Sequence, residues 1–141
     1  MLIPLGKKDS ITKTISESDV YLYSNIVGDS NPLHVDAKKA KESIFGNRVV
    51  HGMLIGSLIS TVLGTKLPGE GTIYIEQNLS FKKPVFLGET VTAIAMVKEI
   101  LNPSKGIYAM DTTVINKDGI IVIEGYAIVM NTKFSEKEIN E

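Results

Sequence analysis

The feature that most constrains this chain is one long apolar segment, residues 50–63, followed by four segments in which apolar and polar residues alternate. Apolar side chains run nearly all round the first segment when it is drawn as a helix, and a helix that is apolar on every side is expected to be buried on every side. The alternating segments are residues 71–82, 90–100, 106–116 and 120–130, and such alternation is typical of β-strands. The sequence therefore predicts an α+β fold in which a curved antiparallel β-sheet wraps one long central helix.

Shorter elements precede the apolar helix. Residues 10–16 are rich in β-branched side chains and predict a first strand. Ser16 then offers the N-cap of a helix, and Gly28 is expected to end that helix. A loop over residues 29–35 and a short helix over residues 36–43 complete the first part of the chain.

The chain is expected to form one domain. Its 141 residues suit a single hydrophobic core. We expect this domain at residues 9–132, with an N-terminal segment at residues 1–8 and a charged, frayed C-terminal tail at residues 133–141. Lys-Asp-Gly at residues 117–119 predicts a tight hairpin between the last two strands, and Gly125 indicates a close approach of two backbones.

Composition argues against several classes of protein. The formal net charge of -1 and the lack of a basic stripe argue against nucleic-acid binding. The sequence contains no cysteine, which excludes disulfides, thiolate metal sites and a cysteine nucleophile. No apolar run approaches the roughly 20 residues that a membrane-spanning helix needs, and the first residues do not resemble a signal peptide. We therefore expect a cytoplasmic protein with no nucleic-acid or membrane partner.

Both histidines of the chain precede or open the apolar helix. His34 follows Asp29 by five residues across a turn that Pro32 enforces, so the two side chains can converge on a single water molecule. At neutral pH a carboxylate and an imidazole can both accept a proton, and together they could deprotonate water for addition to an activated double bond. The ordinary alternative is that Asp29 caps a turn and that His34 is a hydrogen-bonded loop histidine.

His51 and Gly52 stand at the start of the apolar helix. The first N–H groups of a helix have no partner within the helix, and the helix dipole is positive there. Because Gly52 has no side chain, a carbonyl oxygen can approach its N–H closely, as an oxyanion site for a polarised thioester requires. The alternatives are a packing glycine and a histidine that caps the helix.

Two serines interrupt the apolar helix, and buried hydroxyls need hydrogen-bond partners. Ser60 could support His34 from behind, or it could bond to the carbonyl four residues earlier. Neither Ser57 nor Ser60 stands at a recognisable spacing from a base, so a nucleophilic serine is not expected. Two histidines with scattered carboxylates make a poor metal site, so no metal is expected.

Two runs of sequence resemble the signature of a known family, the MaoC-like (R)-specific enoyl-CoA hydratases. They are Gly-Asp-Ser-Asn-Pro-Leu-His-Val-Asp at residues 28–36 and His-Gly-Met at residues 51–53. The similarity continues through residues 67–69, 71–74 and 79–85, and it covers about residues 9–132. The combined pattern is far more specific than either run alone.

The resemblance implies a single hot-dog fold and a homodimer, or an oligomer of dimers, with acyl tunnels near the subunit interface. The implied reaction belongs to fatty acid metabolism and is the reversible syn hydration of a trans-2-enoyl-CoA to the (R)-3-hydroxyacyl-CoA. No metal or redox cofactor is implied, since the substrate itself carries coenzyme A. The single hot-dog unit favours short to medium acyl chains.

The resemblance also implies a role for each candidate residue. Asp29 and His34 fall on the family's catalytic pair, and Gly52 falls on its oxyanion donor. His51 and Asn31 are expected beside the substrate. A supporting serine that helps to hold the catalytic histidine falls at Ser60.

Arg48 departs from the family pattern, because many relatives carry an apolar residue or proline before the Val-Val-His-Gly run. This departure leaves the shape of the tunnel mouth undetermined by the resemblance, but it does not affect the implied chemistry. Arg48 and the lysine pairs at residues 38–39 and 82–83 could contact substrate phosphates or be solvated surface charges. Three alternative functions stay open: a dehydratase of the same fold that acts on acyl-carrier-protein thioesters, a hot-dog thioesterase, and a non-catalytic acyl-CoA binding domain.

Overall fold

One antiparallel sheet and one central helix form the body of the fold. The computed structural model describes residues 1–136. The strands are β1 (Lys8–Thr14), β2 (Ile73–Phe81), β3 (Thr90–Asn102), β4 (Ile107–Asn116) and β5 (Ile121–Met130), in the order β1-β3-β4-β5-β2 across the sheet. The helices are α1 (Glu17–Val27), α2 (Pro32–Val35), α3 (Ala37–Lys41) and α4 (Gly52–Thr65), and a 3-10 turn lies at Thr132–Phe134. The predicted α+β fold, a sheet around one central helix, is confirmed.

The sheet buries one of its faces on α4. Alternate residues of β3 point to that face and are at most 1% exposed, namely Val91, Ala93, Ala95 and Val97. The two alanines are small enough to let the helix lie close to the strand. Two register irregularities near the end of β3 add local twist, so that the long strand curves round the helix.

One side of α4 is exposed, and the prediction that this helix is buried on every side is therefore wrong for the single chain. Ile55, Ile59 and Val62 are at most 1% exposed, whereas Met53 is 56% exposed. The exposed side borders β2, which is an edge strand. No helix within residues 1–136, α4 included, has the length and apolar composition that crossing a membrane requires.

Local signals explain both ends of α1. The Ser16 hydroxyl accepts the Asp19 N–H at 3.1 Å, and the Asp19 carboxylate accepts the Ser16 N–H at 2.9 Å. This reciprocal capping box begins the helix. Gly28 adopts a left-handed φ of 78° and ends it, as the sequence predicts. The residue after Gly28 therefore leaves the helix in a defined direction.

Both ends of the described chain are held against the core at Tyr108. The Ile3 N–H donates to the Tyr108 hydroxyl at 3.1 Å, and that hydroxyl donates to the Phe134 carbonyl. Residues 1–8 are therefore docked on the domain rather than separate from it. Residues 133–136 of the expected tail follow this contact, residues 137–141 lie outside the described residues, and the domain bounds and the fraying of the tail stay predictions.

The predictions for the last two strands are confirmed. Gly119, with a φ of 76°, lies in the turn between β4 and β5, and the Asn116 side chain accepts two backbone N–H groups of that turn. A Cβ atom at Gly125 would overlap the backbone carbonyl of Asn78 in β2. Only glycine therefore allows β2 and β5 to approach this closely.

Candidate active site

Short elements on either side of one loop bring Asp29 and the two histidines together. Asp29 leaves the C-terminal end of α1. The predicted loop over residues 29–35 contains the helical turn α2, because Asn31 caps it and Pro32 supplies its first residue. His34 lies on α2, and His51 directly precedes α4. One side-chain ligand atom from each of Asp29, His34 and His51 lies within 4.8 Å of the other two, so the predicted convergence of Asp29 and His34 is found.

His34 is held in one tautomer. Its Nδ1 lies 2.7 Å from the carbonyl oxygen of Val49. A carbonyl only accepts hydrogen bonds, so Nδ1 carries the hydrogen and Nε2 of the neutral ring keeps its lone pair. The ring is half-buried and lines a cavity. His34 therefore presents an acceptor nitrogen whose orientation a main-chain bond sets.

The Asp29 carboxylate is exposed and held by the loop backbone. Its Oδ1 accepts the Asn31 N–H at 3.2 Å, while the Asn31 side chain accepts the Leu33 N–H at 3.1 Å. Asn31 therefore joins the carboxylate to the first turn of α2. The structure shows Asn31 in this capping role, and its expected contact with substrate stays a prediction.

His51 belongs to the wall behind the site. The residue is 2% exposed, and it is not among the residues that line the cavity beside His34. Its Nε2 lies 3.0 Å from the Asp29 carbonyl oxygen, and its side chain makes no hydrogen bond that caps α4. The structure therefore supports neither the expected substrate contact nor the alternative role as a helix cap.

The cluster of Asp29, His34 and His51 does not have the geometry of a metal centre. The two rings stack with centroids 3.8 Å apart and planes 26° apart, so their in-plane lone pairs point along nearly parallel planes rather than to one point. Nδ1 of His34 and Nε2 of His51 are also bonded to carbonyl oxygens. A catalytic zinc ion takes three protein ligands whose lone pairs converge on it at about 2.0–2.3 Å, and two stacked rings do not direct their lone pairs in this way. The arrangement favours acid/base chemistry.

Gly52 is the first residue of α4 and lines the same cavity as His34. The N–H groups of the first helical turn have no acceptor within the helix. A Cβ atom at this position would lie 2.8 Å from two ring carbons of Phe81. Glycine at this position lets the Phe81 ring pack directly against the helix N-terminus, and its expected role as an oxyanion donor stays a prediction.

The cavity beside His34 has a volume of about 410 Å³. Its walls are mainly apolar and include Val50, Ile55 and Ile123, whereas Lys82 and Lys83 bring positive charge to its lining. Lys82 also pairs with Glu124 at 3.6 Å, with both side chains half-exposed. An elongated ligand with an apolar end and an anionic end fits this distribution of charge.

The two serines of α4 do not reach His34 within the described residues. Ser57 donates to the Met53 carbonyl, four residues earlier, at 2.6 Å. Ser60 is exposed and lines a second cavity, of about 400 Å³, between α4 and β2. The group that supports His34 from behind is the Val49 carbonyl, and the supporting role expected for Ser60 stays a prediction.

Arg48 is engaged in an interaction within the chain. Its Nη1 lies 3.2 Å from the Glu17 carboxylate and donates to the Tyr21 hydroxyl at 2.7 Å. The pKa of Glu17 lies below its ordinary value. The largest cause is the hydrogen bond from Tyr21, followed by the hydrogen bond from Arg48 and the positive charge of Arg48. Arg48 thus ties the loop before α4 to α1, which places the backbone of its neighbour Val49 beside His34.

Three groups of the site carry no clear signal in the sequence. The Val49 carbonyl sets the tautomer of His34, the Ser24 hydroxyl donates to the Asp29 carbonyl at 2.5 Å, and the Phe81 ring packs on Gly52. A main-chain carbonyl has no residue-specific pattern. Ser24 is the one polar residue buried in α1, and its burial is visible only in the structure.

The chain is similar in sequence to proteins of known activity. The (R)-specific enoyl-CoA hydratase of Rhodospirillum rubrum is 47% identical over 125 residues, covering 89% of this chain and 85% of that protein. A mitochondrial 3-hydroxyacyl-[acyl-carrier-protein] dehydratase of Solanum lycopersicum is 36% identical, over 92% of this chain and 78% of that protein.

Solved structures show the same fold. The (R)-hydratase from Aeromonas caviae involved in PHA biosynthesis superposes with a TM-score of 0.88 at 38% identity, covering 92% of this chain and 97% of that one. The model of the MaoC like domain matches residues 5–119. The domain match covers most of the chain, the Rhodospirillum rubrum relative is 47% identical, and the chain belongs to the MaoC-like family.

Proposed function

We propose that this protein is an (R)-specific enoyl-CoA hydratase that adds water reversibly to trans-2-enoyl-CoA thioesters. One observation carries the proposal: a side-chain ligand atom of Asp29 and one of His34 lie within 4.8 Å of each other, and His34 shares a cavity with Gly52 at the N-terminus of α4. Relatives that are 39–47% identical bear the name of this activity. In the reverse direction the same site is a 3-hydroxyacyl-CoA dehydratase.

Asp29 and His34 are close enough for one water molecule to contact both side chains. A water that donates two hydrogen bonds of about 2.8 Å spans acceptors roughly 4.5 Å apart, and ligand atoms of the two side chains lie within 4.8 Å of each other. The His34 Nε2 has a lone pair because Nδ1 is bonded to Val49. One acceptor takes a proton from the water while the other orients it.

Addition then proceeds across the double bond. The water oxygen forms a bond to C3 of the enoyl group as its O–H bond breaks, and the electrons move through C2 onto the thioester oxygen. The Gly52 N–H, at the positive end of the α4 dipole, stabilises that oxyanion. The proton held by the acid/base pair returns to C2 on the face that water attacked. The result is syn addition and an (R)-3-hydroxyacyl-CoA.

The shape of the cavity supports a short to medium acyl chain. An apolar chamber of about 410 Å³ has room for a limited number of methylene groups, and Lys83 is placed to meet an anionic part of coenzyme A. A series of trans-2-enoyl-CoA substrates from four to twelve carbons tests this part of the proposal. A steady rise in kcat/KM to the longest chain would contradict it.

We also propose that the protein works as a homodimer without metal or redox cofactor. The reaction transfers a proton and a hydroxyl and no electrons, so acid/base groups suffice. The exposed side of α4 and the edge strand β2 supply the surface for a second subunit, since Ile73 and Ile75 of β2 are each about half exposed. Retention of full hydratase activity after dialysis against EDTA is the expected result. The cytoplasmic location stays a prediction from the sequence.

The test of the central proposal is hydration of crotonyl-CoA, followed by the loss of enoyl absorbance. We expect Asp29→Asn and His34→Ala each to lower kcat by about 10²–10⁴, the usual contribution of a positioned acid or base, with unchanged circular dichroism. Asp118→Asn, in the exposed hairpin between β4 and β5, is the matched control and keeps the wild-type rate. Wild-type protein that hydrates no chain length would overturn the proposed function.

The nearest alternative is a dehydratase that acts on acyl-carrier-protein thioesters, and the tomato relative favours keeping it in the experiment. Parallel rates on crotonyl-CoA and on the same acyl group attached to carrier protein decide between the two. Release of free thiol in the same reactions would instead reveal a thioesterase. Binding of crotonyl-CoA without any turnover would indicate a non-catalytic acyl-CoA binding domain.

A further inference from the structure

The main-chain carbonyl of Asp29 accepts two side-chain hydrogen bonds that the proposed chemistry does not use. The Ser24 hydroxyl lies at 2.5 Å and the His51 Nε2 at 3.0 Å. Both donors are buried, with Ser24 7% exposed and His51 2% exposed. One comes from α1 and the other from the residue before α4, so the backbone under the catalytic carboxylate is held from two sides.

The state of the His51 ring follows from these contacts. Because a carbonyl only accepts, Nε2 must carry a hydrogen, and the neutral ring then has its lone pair on Nδ1. That Nδ1 atom is buried and has no hydrogen-bond partner in residues 1–136. A buried polar atom without a partner weakens the fold. The histidine is therefore poorly explained by stability alone, since an apolar ring would fill the same space.

His51 also contacts the second catalytic side chain. Its ring stacks on the His34 ring, with centroids 3.8 Å apart. The Tyr23 ring also contacts the His51 ring, with centroids 4.9 Å apart and planes tilted by 60°. The Val49 carbonyl, two residues earlier in the chain, holds His34 Nδ1. Val49 and His51 thus contact both members of the acid/base pair. His51 bonds to the backbone of Asp29, and both residues hold the ring of His34.

We infer that His51, together with Ser24, is a positioning residue that holds Asp29 and His34 at the separation one water molecule requires. His51 does not touch the substrate and acts only through the backbone of Asp29 and the ring of His34. This inference rests on the proposed hydratase function. It replaces the expectation that His51 binds substrate with a role that its burial, its hydrogen bond and its stacking all support.

Two substitutions separate the hydrogen bond from the packing. His51→Phe keeps a flat ring on His34 and removes the donor, whereas His51→Gln keeps an N–H donor near the position of Nε2. We expect His51→Phe to lower kcat for crotonyl-CoA at least 30-fold with KM changed less than threefold, and His51→Gln to recover at least tenfold of that loss. Ser24→Ala, which removes the second donor, is expected to lower kcat about tenfold.

A combined variant tests whether His51 acts through Asp29. In an Asp29→Asn background, His51→Phe should lower the residual rate less than threefold, because the carboxylate that it positions is already absent. A merely structural role would give the full additional loss. A wild-type rate in His51→Phe, equal losses in the Phe and Gln variants, or additive losses with Asp29→Asn would each overturn the inference.

A spectroscopic measurement stands apart from activity. The chain has only two histidines, so their imidazole ¹⁵N signals can be assigned with single variants. We expect opposite tautomers, with the hydrogen on Nδ1 of His34 and on Nε2 of His51. If the wild-type protein hydrates no enoyl-CoA, the proposed function fails. The tautomers still decide whether His51 donates to the Asp29 carbonyl and His34 to the Val49 carbonyl. A hydrogen on Nδ1 of His51, or rapid exchange between its tautomers, would contradict the inference.

Discussion

Gly52→Ala is the most direct perturbation of the oxyanion site. A Cβ atom on residue 52 would lie 2.8 Å from two ring carbons of Phe81, whereas nonbonded carbons rest about 3.5–4.0 Å apart. The ring must therefore move by roughly 0.7–1.2 Å. Since Phe81 is 52% exposed, it can shift toward solvent, and the free energy of unfolding should fall by only about 1 kcal/mol, the low end for overpacking.

The effect on catalysis should be much larger. Phe81 and Gly52 line the same cavity, so the displaced ring and the added methyl group crowd the path by which a thioester oxygen reaches the helix N-terminus. Loss of one oxyanion donor typically lowers kcat by about 10²–10³, or about 2.7–4 kcal/mol. We therefore expect kcat for crotonyl-CoA to fall at least about 100-fold in a protein that is still folded.

Initial hydration rates and urea unfolding of the same preparations measure the two effects. Gly64→Ala is the matched control, because it lies in the same helix and its Cβ would meet no atom within 4 Å. We expect it to keep the wild-type rate. The double variant Gly52→Ala/Phe81→Leu should regain at least part of the lost rate, since leucine leaves more room. A wild-type kcat in Gly52→Ala would refute the oxyanion assignment.

Two further predictions concern the frame around the site. Gly125→Ala forces β5 away from the Asn78 carbonyl. The lost hydrogen bonds between β2 and β5, together with strain, should lower the free energy of unfolding by about 2–4 kcal/mol. If urea unfolding shows a decrease no larger than that of Gly119→Ala, this prediction is wrong. The pKa of Glu17 is lowered in the folded protein, first by the Tyr21 hydrogen bond and then by Arg48. The ionised group therefore stabilises the fold above its unfolded pKa, and this contribution disappears as pH falls through the lower, folded pKa. Glu17→Gln should flatten the acid side of the Tm–pH curve, and a curve parallel to the wild type would be evidence against the pairing.

Local signals were sufficient for most of the secondary structure. Ser16 and Gly28 bound α1 because capping and left-handed backbone depend on single residues. The turn at Gly119 and the close strands at Gly125 depend on glycine for the same reason. The sequence predicts a loop where the helical turn α2 lies, because an Asn-Pro pair suits an open turn as well as the start of a helix.

Contacts between distant segments could not be read from sequence patterns. The pair Asp29 and His34 lies within one loop, so their convergence was predictable from spacing alone. The partners of that pair come from other elements: Val49 through its carbonyl and Ser24 from inside α1. The sequence places His51 beside the site, but its side chain turns to the Asp29 backbone rather than to the cavity. Its role depends on packing that no local pattern encodes.

The exposed side of α4 and the edge strand β2 form the surface of the proposed homodimer. β2 is an edge strand, and Ile73 and Ile75 on it are 52% and 51% exposed. An unpaired apolar edge favours pairing with another strand, and in a twofold dimer the same patch meets its own copy. Ile75→Lys would bring like charges together across that axis and should shift the protein to monomer in sedimentation velocity. Ile120→Lys, at a similarly exposed isoleucine (48%) beside the β4–β5 hairpin, should leave the dimer intact. If Ile75→Lys sediments like the wild type, the dimer does not form through β2.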